Sequence, residues 1–94
     1  MANVAYWSGS WVGDGFDPGV EHSWWMGPID YAQSINVTAQ AFHGVLEQEE
    51  REVMVKDVRA HVDFEGNRRL YFTVRNTGRT NIPSYTINYG LISP

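Results

Sequence analysis

Hydrophobic and polar residues alternate along most of this chain, and the alternation is that of strands. In "LYFTVRN", Leu70, Phe72 and Val74 fall on one side and Tyr71, Thr73 and Arg75 on the other, the pattern of a strand with one face on a core. "YTINYGLI" sets Tyr85, Ile87, Tyr89 and Leu91 against Thr86, Asn88, Gly90 and Ile92, and Gly90 suggests a bulge or a close backbone contact. "QSINVTAQAF" sets Ile35, Val37, Ala39 and Ala41 against Ser34, Asn36, Thr38 and Gln40. Over Glu52–Phe64 the phase changes near Lys56-Asp57: Val53 and Val55 alternate before it, and Val58, Ala60, Val62 and Phe64 after it. That shift predicts a bulge near Asp57 or two short strands meeting at a corner. "EGNRR" then supplies a tight hairpin turn at Gly66 and Asn67, and "NTGRTNIPS" a loop.

The first half is less regular. "NVAYWS" and "VEHSWWM" are short strands, and "GSWVGDGFDPG" between them reads as loop because of its glycines and Pro18. Only "FHGVLEQEEREV" has helix formers, without a capping residue, which predicts a single helical turn or a charged hairpin loop. Six strand segments in 94 residues predict one all-β domain over residues 1–94, a small antiparallel β-sandwich of six to seven strands.

Within "LYFTVRNTGRTNIPSYTINYGLI", Val74, Asn76 and Gly78 form a Val-x-Asn-x-Gly turn, followed by the alternating Tyr85, Ile87 and Tyr89. With the preceding hairpin, residues 52–92 resemble the CARDB class of immunoglobulin-like bacterial adhesion modules. The resemblance implies an immunoglobulin-like sandwich and a non-catalytic, interaction-based role. The first 28 residues lie outside it.

Composition removes several classes of function. The chain contains no cysteine, so neither disulfides nor thiolate metal sites hold it together. Its net charge is −4, and its seven Lys and Arg form no run longer than Arg68-Arg69, which argues against nucleic acid. No apolar run approaches a membrane span. "MANVAYWSGSW" lacks the features of a signal peptide, and extracellular and cytoplasmic locations both remain open. His22, His43 and His61 are dispersed, with no zinc-ligand spacing. There is no nucleophile elbow and no phosphate loop, so no catalytic residue and no cofactor are expected. Asp14 and Asp17 in "GDGFDPG" are weak calcium candidates, short of the six to eight oxygens calcium takes. Asn36-Val37-Thr38 fits a glycosylation tripeptide, but lies mid-strand.

Aromatic residues carry what functional signal there is. Trp24 and Trp25 are adjacent in a strand, so their side chains point to opposite faces. Val20, His22 and Met26 share the parity of Trp24, while Glu21 and Ser23 share that of Trp25. Trp24 is therefore expected in the core and Trp25 on a working surface. The expected function is recognition of a glycan, with Trp25, Trp11 and Trp24 as ring platforms and Glu21, His22, Asp14 and Asp17 as polar partners. The alternative is a structural, self-assembling subunit or protein-interaction module. Its homo-oligomeric contact would run through the edge strand at residues 33–42, which has few charges to discourage pairing.

Overall fold

A computed structural model describes residues 3–29, 34–42 and 50–93. Six strands occur in chain order: β1 (Asn3–Val12), β2 (Glu21–Met26), β3 (Ser34–Ala41), β4 (Val53–Val62), β5 (Arg68–Asn76) and β6 (Ser84–Ser93). They form two three-stranded antiparallel sheets, β1-β6-β3 and β2-β5-β4, packed as a small β-sandwich. Among the described residues no helix is long and apolar enough to cross a membrane. Most of the helix-forming stretch, and His43, lie outside the described residues, while 50–52 are irregular.

The central strands supply the core because each is flanked on both sides. Leu70, Phe72 and Val74 of β5 and Tyr85 and Ile87 of β6 are fully buried, with Phe16 and Ile82 from the loops before β2 and β6. Each such side chain contributes about 1.5–3 kcal/mol through burial. Ile35, Val37, Ala39, Val53 and Val55 pack around this centre from the edge strands.

Two expectations from local pattern need correction. First, β1 does not end at Ser8: it runs through Gly9 to Val12, in unbroken register with β6. The reason is that Gly9 faces inward beneath the Trp7 ring, where any Cβ would collide with the indole. This glycine makes room for a ring and does not mark a turn. Trp11 therefore belongs to the inner face of β1, not to a loop. Second, β5 and β6, which the alternation reads as two of three consecutive antiparallel strands, are not sheet neighbours. The segment between them crosses from one sheet to the other, and β6 pairs with β1 and β3. Gly90 also sits in regular register with both partners, with no bulge.

The phase change in β4 is a bulge. Lys56 opposes Thr73 and Arg59 opposes Tyr71, so three steps on β4 match two on β5. Asp57 there has φ of 55°, a left-handed conformation that aspartate tolerates and β-branched residues resist. Asp57→Val is expected to cost about 1–2 kcal/mol in urea denaturation, whereas Asp57→Gly should match or exceed the parent. Equal stability of both variants would contradict a strained bulge. The following hairpin closes on Gly66 at φ 89°. The Asp63 carboxylate accepts the backbone N–H groups of Glu65 and Asn67 at 2.9 and 3.0 Å, and the Asn67 bond leads in holding its pKa below the usual value.

Candidate functional site

Strand parity divides the residues proposed from sequence among three places. Trp11, His22 and Trp24 turn inward, Glu21 and Trp25 lie on the outer face of β2, and Asp14 and Asp17 belong to the β1–β2 loop. No single site contains them all.

The inward group surrounds Tyr85, whose side chain is fully buried. Trp11 stacks on the Tyr85 ring at 5.4 Å between centroids, and His22 stacks on Phe16 at 4.2 Å. The Trp24 indole Nε1 donates to the Tyr85 hydroxyl at 2.8 Å, and the same hydroxyl lies 2.8 Å from His22 Nδ1. An indole N–H can only donate, so the phenol oxygen accepts from Trp24, while the direction of the bond to His22 Nδ1 follows the imidazole tautomer. With the imidazole proton on Nε2, the phenol donates to Nδ1. Burial lowers the pKa of His22 and pushes that of Tyr85 up to about 12. These rings hold the two sheets together.

The β1–β2 loop likewise serves packing. Phe16 fills the core, its carbonyl accepts from Ile82 N at 3.1 Å, and Asp17 accepts from Asn81 Nδ2 at 3.0 Å. Asp14 is exposed. Among the described residues, no three His, Cys, Asp or Glu side chains converge to hold a metal ion.

The outer face of β2-β5-β4 is different in character. Here register places Trp25 beside Tyr71 and Tyr71 beside Arg59, forming one cross-strand row. Trp25 is 61% exposed. The Arg69 guanidinium lies 5.5 Å from the Trp25 ring centroid, that of Arg59 lies 5.0 Å from the Tyr71 ring, and His61 meets Tyr71 edge-on at 6.3 Å. At the other end of the face, Glu21 Oε2 pairs with Lys56 Nζ at 2.7 Å and with Arg75 Nη1 at 3.8 Å. The bond to Lys56 is the largest cause of its lowered pKa. Asp63 lies within Coulombic reach of Arg69, its carboxylate already bound by the hairpin backbone.

This face therefore sets an exposed indole and a phenol among Arg59, Arg69 and His61, while Glu21 is engaged by two cations and the Asp57 carboxylate lies 3.9 Å from Lys56. Four of the chain's seven Lys and Arg, namely Lys56, Arg59, Arg69 and Arg75, lie on the outward parity of β4 and β5. The sequence reading missed Tyr71, Arg59 and Arg69 as site residues. Their outward parity was available from the alternation, but their nearness to Trp25 depends on the pairing of β2 with β5, about 45 residues apart in the chain. Comparison with protein-family models, curated proteins and solved structures finds no match to this chain.

Proposed function

We propose that the protein is a non-catalytic recognition module that binds a glycan bearing carboxylate or sulfate groups on the outer face of β2-β5-β4. The observation that carries this reading is the exposed Trp25–Tyr71–Arg59 row with Arg69 over the indole. A flat ring offers a sugar's C–H face a stacking surface, and the neighbouring guanidinium groups present paired donors suited to carboxylate and sulfate oxygens. Local charge on this face runs against the net −4 of the chain. The positive footprint is confined to one end of one sheet, which suits a short acidic ligand better than a long polyanion. The likeness to immunoglobulin-like modules stands on the same footing. It is supported by the neighbours β2-β5-β4 and β6-β3, which correspond to the B-E-D and C-F neighbours of such sandwiches. Here β1 takes the edge that the last strand occupies there.

Tryptophan fluorescence during titration with a heparin hexasaccharide and with a neutral maltohexaose tests this reading. The acidic oligosaccharide is expected to shift the emission and the neutral one to leave it unchanged. Trp25→Ala should weaken binding at least about tenfold while changing stability by no more than about 0.5 kcal/mol, as for an exposed position. Trp24→Ala should instead cost about 3 kcal/mol in stability. Tighter binding of single-stranded poly-uridylate than of either oligosaccharide would replace the glycan with a nucleic acid, and no binding of any probe would sink the reading.

A second reading, assembly through β3, is favoured by one observation. β3 forms an edge of its sheet, and its described side chains carry no charge, so nothing on the strand repels a second copy. Sedimentation that shows a dimer, dissociated by Thr38→Lys, would support it.

A further inference from the structure

The opposite surface, the outer face of β1-β6-β3, has another chemistry. Its described outward residues include serines, threonines, asparagines and a glutamine but no charged side chain, in a chain of which 19% is charged. Across its middle, register aligns Tyr6 on β1, Gly90 on β6 and Asn36 on β3 in one row. The next row places Asn88 beside Thr38. Because Gly90 has no side chain, the row sinks at its centre between Tyr6 and Asn36. The result is a depression of about 180 Å³ bordered by Tyr6, Asn36, Thr38, Asn88, Gly90 and Ile92. Tyr6 is 83% exposed, so its ring stands as a free wall on an edge strand.

These groups select a ligand by what they can and cannot satisfy. Two carboxamides supply donors and acceptors together, and the threonine hydroxyl does both. No charge is present to compensate an ion, so a charged ligand would lose hydration without return. The Tyr6 ring takes an apolar face. The volume lies below the roughly 300–1,000 Å³ of sites for drug-sized ligands, which leaves room for one small ring. We propose that this depression is a saccharide subsite, separate from the Trp25 face, that holds one pyranose ring of an uncharged glycan. The ring's C–H face lies on Tyr6 and its hydroxyls bond Asn36, Asn88 and Thr38.

Backbone and side-chain amide NMR during titration with methyl β-D-glucopyranoside, methyl α-D-mannopyranoside and N-acetyl-D-glucosamine provides the test. At least one sugar is expected to shift the Gly90 amide and the Asn36 and Asn88 carboxamides together. Tyr6→Ala should weaken that binding about tenfold, and Trp25→Ala, on the other sheet, should leave it unchanged. An Asn36→Ala variant with a native amide spectrum provides a second check and should weaken binding as well. Shifts confined to Trp25 and Tyr71 would overturn this subsite while leaving the acidic-glycan reading intact. Silence at Gly90 with all three sugars would also overturn it, as would shifts there that follow protein concentration and not sugar, because the face would then contact a second copy.

Discussion

Replacing Asn76 by alanine is expected to lower the unfolding free energy by about 3 kcal/mol, through the loss of three hydrogen bonds made by one buried side chain. Asn76 is 1% exposed and sits at the end of β5 where both loops of one pole meet. Its Nδ2 donates to the carbonyls of Phe16 and Thr80, each at 2.9 Å, and its Oδ1 accepts the N–H of Gly78 at 2.9 Å. The side chain thus closes its own turn and fastens it to the loop that carries Phe16 into the core. Its backbone extends the β2–β5 ladder, with Gly19 N donating to its carbonyl at 2.9 Å and its N–H donating to Val20 O at 3.1 Å. Alanine would leave the Thr80 carbonyl and the Gly78 N–H without these partners, and the Phe16 carbonyl with Ile82 N alone. Aspartate would be no remedy, since a carboxylate oxygen would then face the carbonyls of Phe16 and Thr80. For a domain of this size the loss corresponds to a fall in Tm of about 15–20 °C. Thermal and urea unfolding of Asn76→Ala, Asn76→Asp and Thr77→Ala would measure it. The Thr77 hydroxyl bonds the exposed Glu52 side chain at 2.7 Å and should matter little. Asn76→Ala within about 1 kcal/mol of the parent would show that the clasp is dispensable.

The same residue shows how much of the molecule could be read in advance. The Val74-x-Asn76-x-Gly78 turn is a local signal and marks its place correctly, because a side-chain amide bonding two residues ahead is a property of the turn itself. That this amide also reaches Phe16, 60 residues away, is a property of the fold. Alternation predicted which side of β2, β3, β5 and β6 faces inward. The phase slip at Asp57 was visible as a reversal of parity, but Val58 and Val62 beyond it are 43% and 50% exposed and Phe64 lies past the end of β4 at 98%. Parity likewise separated Trp24, now bonded to Tyr85, from the exposed Trp25. Pairing between distant strands carries no comparable local mark. Glycine misled at the end of β1, where Gly9 makes room for the Trp7 ring and resembles a turn former only by composition. His22 drew attention as a polar group beside two tryptophans, although its parity already placed it with Trp24. The arginines looked scattered because the chain spaces them along β4 and β5, and the pairing of those strands gathers them on one face.

Tyr85→Phe, which removes a single oxygen atom, is expected to cost about 2–3 kcal/mol, because two half-buried partners lose their bonds at once. Trp24 Nε1 and His22 Nδ1 both meet that oxygen at 2.8 Å, and phenylalanine would keep the ring stacking with Trp11 while leaving both nitrogens without it. The network also dictates a pH dependence. Burial lowers the pKa of His22 from 6.5, so as pH falls through the unfolded value the unfolded chain takes up a proton that the folded one resists. Stability rises with pH wherever the unfolded state binds more protons. The contribution of neutral His22 is therefore complete above about 6.5, the unfolded histidine value, and declines as pH falls towards the folded value. Glu21 and Asp63, whose pKa values are also lowered, act in a separate window below their ordinary 4.5 and 3.8. At the alkaline end the sign reverses. Tyr85, pushed up from 10.0 to about 12, holds its proton when the unfolded phenol has lost it, so folding weakens from pH 10 upward. Urea unfolding at pH 5.0 and 7.5 would separate these contributions. The parent should be less stable at pH 5.0, and His22→Gln should lose most of that difference, since glutamine does not titrate. Tyr85→Phe should be destabilised at both pH values and lose the alkaline decline that its phenol causes. A parent whose stability is the same at both pH values would show that His22 is free to protonate in the folded state, contrary to a neutral ring held by the Tyr85 hydroxyl.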